Sequence, residues 1–119
     1  IVAFEKMEAV RYADYLKQDG IAVINDFEIE SSTTAAGMCE YPKGCIEAMK
    51  SRFNCYTLNA AKIAEDMGNP KCMNIVLFGS MVKVLGMNDI EWESVIADTV
   101  PEKFRDMNIR AYRAGYGAV

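Results

Sequence analysis

Strand and helix signals alternate in the first half of this 119-residue chain, and the second half reads almost wholly as helix. Together they predict an α/β fold with a helical C-terminal half. Two segments carry the reading. Ile21-Ala22-Val23-Ile24 is a continuous apolar run between Gly20 and Asn25, the pattern of a strand covered on both faces. Gly68-Asn69-Pro70 combines a helix-stopping glycine, a capping side chain and a proline suited to a first helical position. Only Lys71 and Lys83 carry charge in the helix that follows to Leu85, which predicts burial all round and places Asn74 and Gly79 at or near a packed surface.

The remaining elements follow in order. Residues 5 to 17 read as a helix with Met7, Val10 or Ala9, Ala13 and Leu16 inward. Glu5, Glu8 and Arg11 form a polar stripe on another side, the usual mark of a solvated face, with Glu8 and Arg11 spaced to pair. Asp19-Gly20 is a turn signal before the first full strand. Residues 26 to 40, with Ser31-Ser32-Thr33-Thr34-Ala35-Ala36-Gly37 at their centre, show no period and read as a long loop, a kind of segment often functional or mobile. Tyr41-Pro42 introduces a helix to about Arg52, with Ile46, Met49 and Phe53 spaced for burial and Gly44 weakening its start. Asn54 to Leu58 is a strand, and Asn59 caps a helix from Ala60 to Met67.

Beyond Gly86, Asn88-Asp89-Ile90-Glu91 resembles a capping box ahead of a helix with Trp92, Val95, Ile96 and Val100 on its apolar face. Thr99-Val100-Pro101-Glu102 repeats the pattern. The last helix spans about 102 to 114, with Phe104, Met107 or Asn108, Ala111 and Tyr112 inward, and Gly115 and Gly117 ending it.

At this length one domain with one core is expected. Hydrophobic residues make up 51 % and the net charge is −4. That balance argues against general binding to nucleic acid or to anionic membrane, both of which favour a basic face. The longest apolar run, Met73 to Val82, is too short to span a bilayer, so a soluble protein is expected. The chain opens on Ile1 without an initiator methionine or a signal-peptide pattern, and Ile1-Val2-Ala3 reads as the tail of a strand. Two full strands and a stub are few for a stable sheet. The expectation is a piece of a larger domain, whose other strands come from a missing N-terminal segment or from a partner chain.

There is no histidine, which removes the commonest general base near neutral pH and the commonest metal ligand. Cys39, Cys45, Cys55 and Cys72 include no Cys-x-x-Cys spacing and no cluster-type run. They are expected to be reduced, metal-free thiols packed as small hydrophobes in a cytosolic (cytoplasmic) protein.

Three sets of residues, in order, carry a family resemblance. They are the run from Ala3 to Tyr12, then Gly20-Ile21-Ala22-Val23-Ile24-Asn25, then Gly68-Asn69-Pro70 with Asn74, Gly79, Pro101-Glu102-Lys103-Phe104, Asn108, Ala111-Tyr112 and Gly115. In these the chain resembles the smaller (beta) subunit of indolepyruvate ferredoxin oxidoreductases, itself similar to the gamma subunit or domain of the pyruvate and 2-oxoacid ferredoxin oxidoreductases. The resemblance covers nearly the whole chain and corresponds to the C-terminal two-thirds of such a subunit. It implies a three-layer α/β/α sandwich whose glycine-rich first strand-turn-helix unit is absent here.

The implied reaction is oxidative decarboxylation of an aryl pyruvate with coenzyme A, giving an acyl-CoA, carbon dioxide and reduced ferredoxin. Thiamine diphosphate, Mg²⁺ and iron–sulfur clusters are implied to reside on a larger catalytic alpha subunit. This chain is then a supporting subunit with no catalytic residue and no cofactor of its own, meeting ferredoxin only indirectly. Glu5, Glu8 and Arg11 match the family's Glu-x-x-Glu-x-x-Arg pattern and, with Asn25 directly after a strand, are candidates to face a partner or ligand. Asn69 as a cap and Asn74 as a satisfied buried amide are read as structural. The alternative function is a free-standing α/β ligand-binding or interaction domain without catalytic activity.

Overall fold

Ile21–Asn25 has no polar side chain before Asn25, so it sits where both faces are covered, and it forms the central strand of a three-stranded sheet. This computed structural model describes residues 1–119. The elements are β1 (Val2–Ala3), α1 (Lys6–Arg11), β2 (Ile21–Asn25), α2 (Ser32–Ala35), α3 (Cys45–Lys50), β3 (Asn54–Leu58), α4 (Ala60–Asp66), α5 (Met73–Leu85), α6 (Trp92–Thr99) and α7 (Arg105–Gly117). The sheet order is β1-β2-β3, with β1 parallel to β2 and Val2 opposite Val23, Ala3 opposite Ile24. The α/β class expected from the sequence is observed. No helix is long and apolar enough to cross a membrane.

The chain divides into two units, residues 1–57 and 58–119. In the first, Ala3, Ala9, Ala13, Ala22, Ile24 and Met49 form a core, with Leu16, Ile46, Phe53 and Cys55 half-buried against it. Of the alternatives at the inward face of α1, Ala9 is buried and Val10 exposed. The helix expected over 5 to 17 stops at Arg11 and gives way to a 3-10 turn over Ala13–Tyr15, leaving Tyr15 83 % exposed. The expected loop over 26 to 40 contains α2, because Ser31 places its hydroxyl on the Thr34 amide as an N-cap. The helix expected from Pro42 begins at Cys45, since Gly44 stands before it in the left-handed region at φ 76°.

In the second unit Asn59 caps α4 through the Lys62 amide, and Asn69 caps a 3-10 turn over Pro70–Cys72 through the Lys71 amide. Helix α5 is not buried all round. Val76, Leu77, Gly79, Ser80 and Val82 are buried, whereas Leu85 is half exposed and Asn74 faces solvent. A helix apolar on every side has one face covered here and another open.

Gly115 does not end the last helix but lies inside α7, where its backbone packs on α5. A Cβ on Gly79 would stand 2.1 Å from the Tyr112 carbonyl oxygen, and one on Gly115 would stand 1.8 Å from that of Val76. The buried Ser80 hydroxyl crosses the same contact and donates to the Gly115 carbonyl at 2.8 Å. Val82, Ile96 and Tyr112 form the core beside it, and Phe78 meets Trp92 edge to face at 5.0 Å between ring centroids.

The two capping boxes are not made. Glu91 precedes α6 without a side-chain cap, the Asn88 side-chain Oδ1 accepts the Tyr116 hydroxyl, and the Thr99 hydroxyl donates back to the Val95 carbonyl. Phe104, expected inward, is exposed in a 3-10 turn ahead of α7.

Candidate functional site

Open α/β sheets place ligand groups beyond the carboxyl ends of their parallel strands. Here β1 and β2 run in register, so the residues after Ala3 and Ile24 emerge at the same end. Asn25, fully buried, donates its amide N–H to the Phe4 carbonyl at 3.0 Å and joins the two strand ends.

Glu5 follows at the start of α1. Its carboxylate accepts the Met7 backbone N–H at 2.8 Å as an N-cap and the Tyr41 hydroxyl at 2.5 Å. Tyr41 also accepts the Met7 N–H, at 3.0 Å. Glu5 is 4 % exposed, so it leaves the solvated stripe expected for it with Glu8 and Arg11. Those two stay at the surface and pair, Arg11 Nε to Glu8 Oε1 at 2.9 Å. An exposed pair of that kind adds little stability. Burial and the bond to Glu5 push the Tyr41 phenol well above its usual range, so it stays protonated and donating.

Lys6 binds the other side of the strand ends. Its backbone N–H donates to the Phe27 carbonyl, and its ammonium reaches Glu28 at 2.6 Å and Asp26 at 3.5 Å. The hydrogen bond that the ammonium donates to Glu28 leads in holding its pKa above the usual lysine value. A cavity of about 690 Å³ opens between these groups, lined among others by Lys6, Asp26, Glu28, Tyr41, Cys45 and Glu47.

Of the cysteines, Cys45 and Cys72 are buried and Cys55 half-buried, as packing thiols should be, but Cys39 is exposed. Its sulfur lies against the Thr34 and Thr33 hydroxyls, which lower its pKa. Burial raises that of Cys45, whose S–H donates to the Pro42 carbonyl.

The structure thus brings Glu5 and Asn25 to one place, leaves Glu8 and Arg11 on the surface of α1, and puts Asn69 and Asn74 in the other unit. Asn74 is solvent-exposed and not the buried amide expected. Tyr41, Lys6, Asp26 and Glu28 were missed. For Lys6 the available signal was its place in the first turn after a strand; Tyr41 carried none, because its partner lies 36 residues away.

No three side chains of the His, Cys, Asp and Glu types converge as metal ligands. The four thiols do not assemble the donor set of an iron–sulfur cluster.

The family model described as pyruvate ferredoxin/flavodoxin oxidoreductase matches residues 1–118. The chain belongs to that family. Among relatives of the pyruvate ferredoxin/flavodoxin oxidoreductase family, indolepyruvate oxidoreductase subunit IorB of Thermococcus kodakarensis is 32 % identical over 126 residues, covering 99 % of this chain and 61 % of the relative. The subunit of the same name from Archaeoglobus fulgidus is 30 % identical, covering 98 % of this chain and 60 % of the relative. The chain therefore spans about three fifths of the length of these relatives. The fold is shared with the keto/oxoacid ferredoxin oxidoreductase gamma subunit of Geobacter sulfurreducens. That comparison gives a TM-score of 0.71 and 22 % identity, covering 98 % of this chain and 61 % of that one.

Proposed function

We propose that this chain is part of the supporting subunit of a thiamine-diphosphate-dependent 2-oxoacid ferredoxin oxidoreductase. The favoured substrate is an aryl pyruvate such as indolepyruvate. The complex cleaves the bond between its carboxylate and carbonyl carbons. Carbon dioxide leaves, the acyl group passes to coenzyme A, and the electrons released pass to ferredoxin. Thiamine diphosphate, Mg²⁺ and the iron–sulfur clusters belong to a larger catalytic subunit, and the setting is cytoplasmic. The observation that carries this reading is the family match from residue 1 to residue 118.

We also propose that residues 1–119 belong to a single gamma-type domain and that a segment preceding them adds sheet beside β1.

An activity assay tests the supporting role. The purified chain is incubated with indolepyruvate, coenzyme A, thiamine diphosphate, Mg²⁺ and a viologen acceptor. No sustained reduction is expected from the chain alone, and reduction appears on adding the larger subunit. Steady turnover by the chain alone would show that it houses the catalytic machinery after all.

A further inference from the structure

Residues 37 to 44 form a segment with a glycine hinge at each end: Cys39 contacts the Thr33 and Thr34 hydroxyls near the first, the Cys45 thiol donates to the Pro42 carbonyl near the second, and Tyr41 ties the middle to α1. Gly37 and Gly44 both lie in the left-handed region, at φ 73° and 76°, where glycine alone is unstrained. Neither is crowded: nothing stands within 4 Å of a Cβ built on Gly37, and only the Glu47 carboxylate, at 4.0 Å, approaches Gly44. Between them Met38, Cys39, Glu40, Pro42 and Lys43 are exposed, Met38 to 78 %. Tyr41 alone turns inward. Its hydroxyl is held by Glu5 and by the Met7 amide, and its ring has the Lys6 ammonium 5.8 Å from its centroid. The segment walls the cavity beyond β1 and β2, and Cys45 lies buried at its downstream hinge.

We infer that residues 37–44 are a hinged strap that gates the cavity at the carboxyl ends of β1 and β2, with the Tyr41 hydroxyl on Glu5 as its latch. Lys6 keeps the opposite wall, residues 26–28, in place through its own contacts, so release of Tyr41 frees one side only. Opening breaks the phenol–carboxylate bond, exchanges it for water on both partners, and uncovers the Cys45 thiol. This inference concerns residues of the first unit alone and does not depend on the function proposed above.

The strap is tested by thiol labelling with iodoacetamide, read cysteine by cysteine by peptide mass spectrometry, in the natively purified protein. Cys39 is already exposed and reacts in every form. Cys55, half-buried against the core of the same unit, reports loosening of that unit as a whole. Tyr41→Phe removes the latch and keeps the ring. Because hydrogen bonds to charged groups are the strong class, labelling of Cys45 is expected to accelerate roughly tenfold or more. Cys55 is expected to keep its rate. Glu5→Gln leaves an acceptor for Met7 but removes the charge that holds the phenol, and moves Cys45 in the same direction by a smaller factor. The inference is overturned if Cys45 keeps its wild-type rate in both variants. It is equally overturned if Cys45 and Cys55 accelerate together, since the unit then opens as one body.

Discussion

Gly79→Ala and Gly115→Ala are each expected to destabilise the protein by about 3–5 kcal/mol, at the upper end of what overpacking and forced helix separation cost. Two effects of opposite sign compete at these positions. Inside an unconstrained helix, replacing glycine by alanine stabilises by roughly 1 kcal/mol, because the unfolded chain loses freedom. At this crossing the added methyl meets backbone and not a movable side chain: 2.1 Å from the Tyr112 carbonyl oxygen for Gly79, and 1.8 Å from that of Val76 for Gly115. Backbone carbonyls inside α5 and α7 cannot swing aside without breaking their own helical bonds. The helices must therefore part, which also strains the Ser80 bond to Gly115 and the packing of Phe78 against Tyr112. Urea denaturation of both variants measures the balance. Variants as stable as the parent, or more so, would mean that α5 and α7 do not meet backbone to backbone.

The second large effect concerns the edge of the sheet. β1 is two residues long and has a neighbour on one side only. Around it Phe4 and Tyr12 are about half exposed, Tyr15 more so, and with Ile1, Val2 and Ala3 they line an apolar hollow of about 470 Å³. An uncovered strand edge beside aromatic surface is a template for association. A chain extended upstream of Ile1 by a strand-helix unit, as proposed, is expected to unfold at a higher temperature than residues 1–119. Covering one such aromatic side chain contributes about 2 kcal/mol, and at this size that shifts the midpoint by roughly 8 °C. The shorter chain is also expected to self-associate as its concentration rises. A 1–119 chain that stays monomeric and melts with the extended chain would contradict the proposal that a preceding segment extends the sheet beside β1.

Elements defined by their own composition were legible in the sequence. The unbroken apolar run of β2, the alternation of β3 about Cys55, the caps at Asn59 and Asn69, and the span of α5 all follow from residues within a few positions of one another. What escaped depends on distant partners. Glu5 reads as a surface carboxylate because nothing near it announces that Tyr41 will satisfy it in the interior. Gly115 reads as a helix terminator because its reason for being glycine is Val76, on another helix. Asn74 reads as buried because the residues around it are apolar, yet only one face of α5 is covered. The candidate site suffered most. Its cavity is walled by α1, the end of β2 and residues 39–47, and no periodicity links those segments.

The supporting role proposed for this chain, beside a larger subunit that carries the cofactors, is tested by affinity isolation of the tagged protein from its native cells, followed by mass spectrometry and iron analysis of what comes with it. A stoichiometric larger subunit bearing iron–sulfur clusters and thiamine diphosphate is expected, with coenzyme-A-dependent oxidation of an aryl 2-oxoacid in the same fraction. Recovery of the protein alone, with no iron and no such activity in any fraction that contains it, would rule out the supporting role and favour a free-standing binding domain on the same fold.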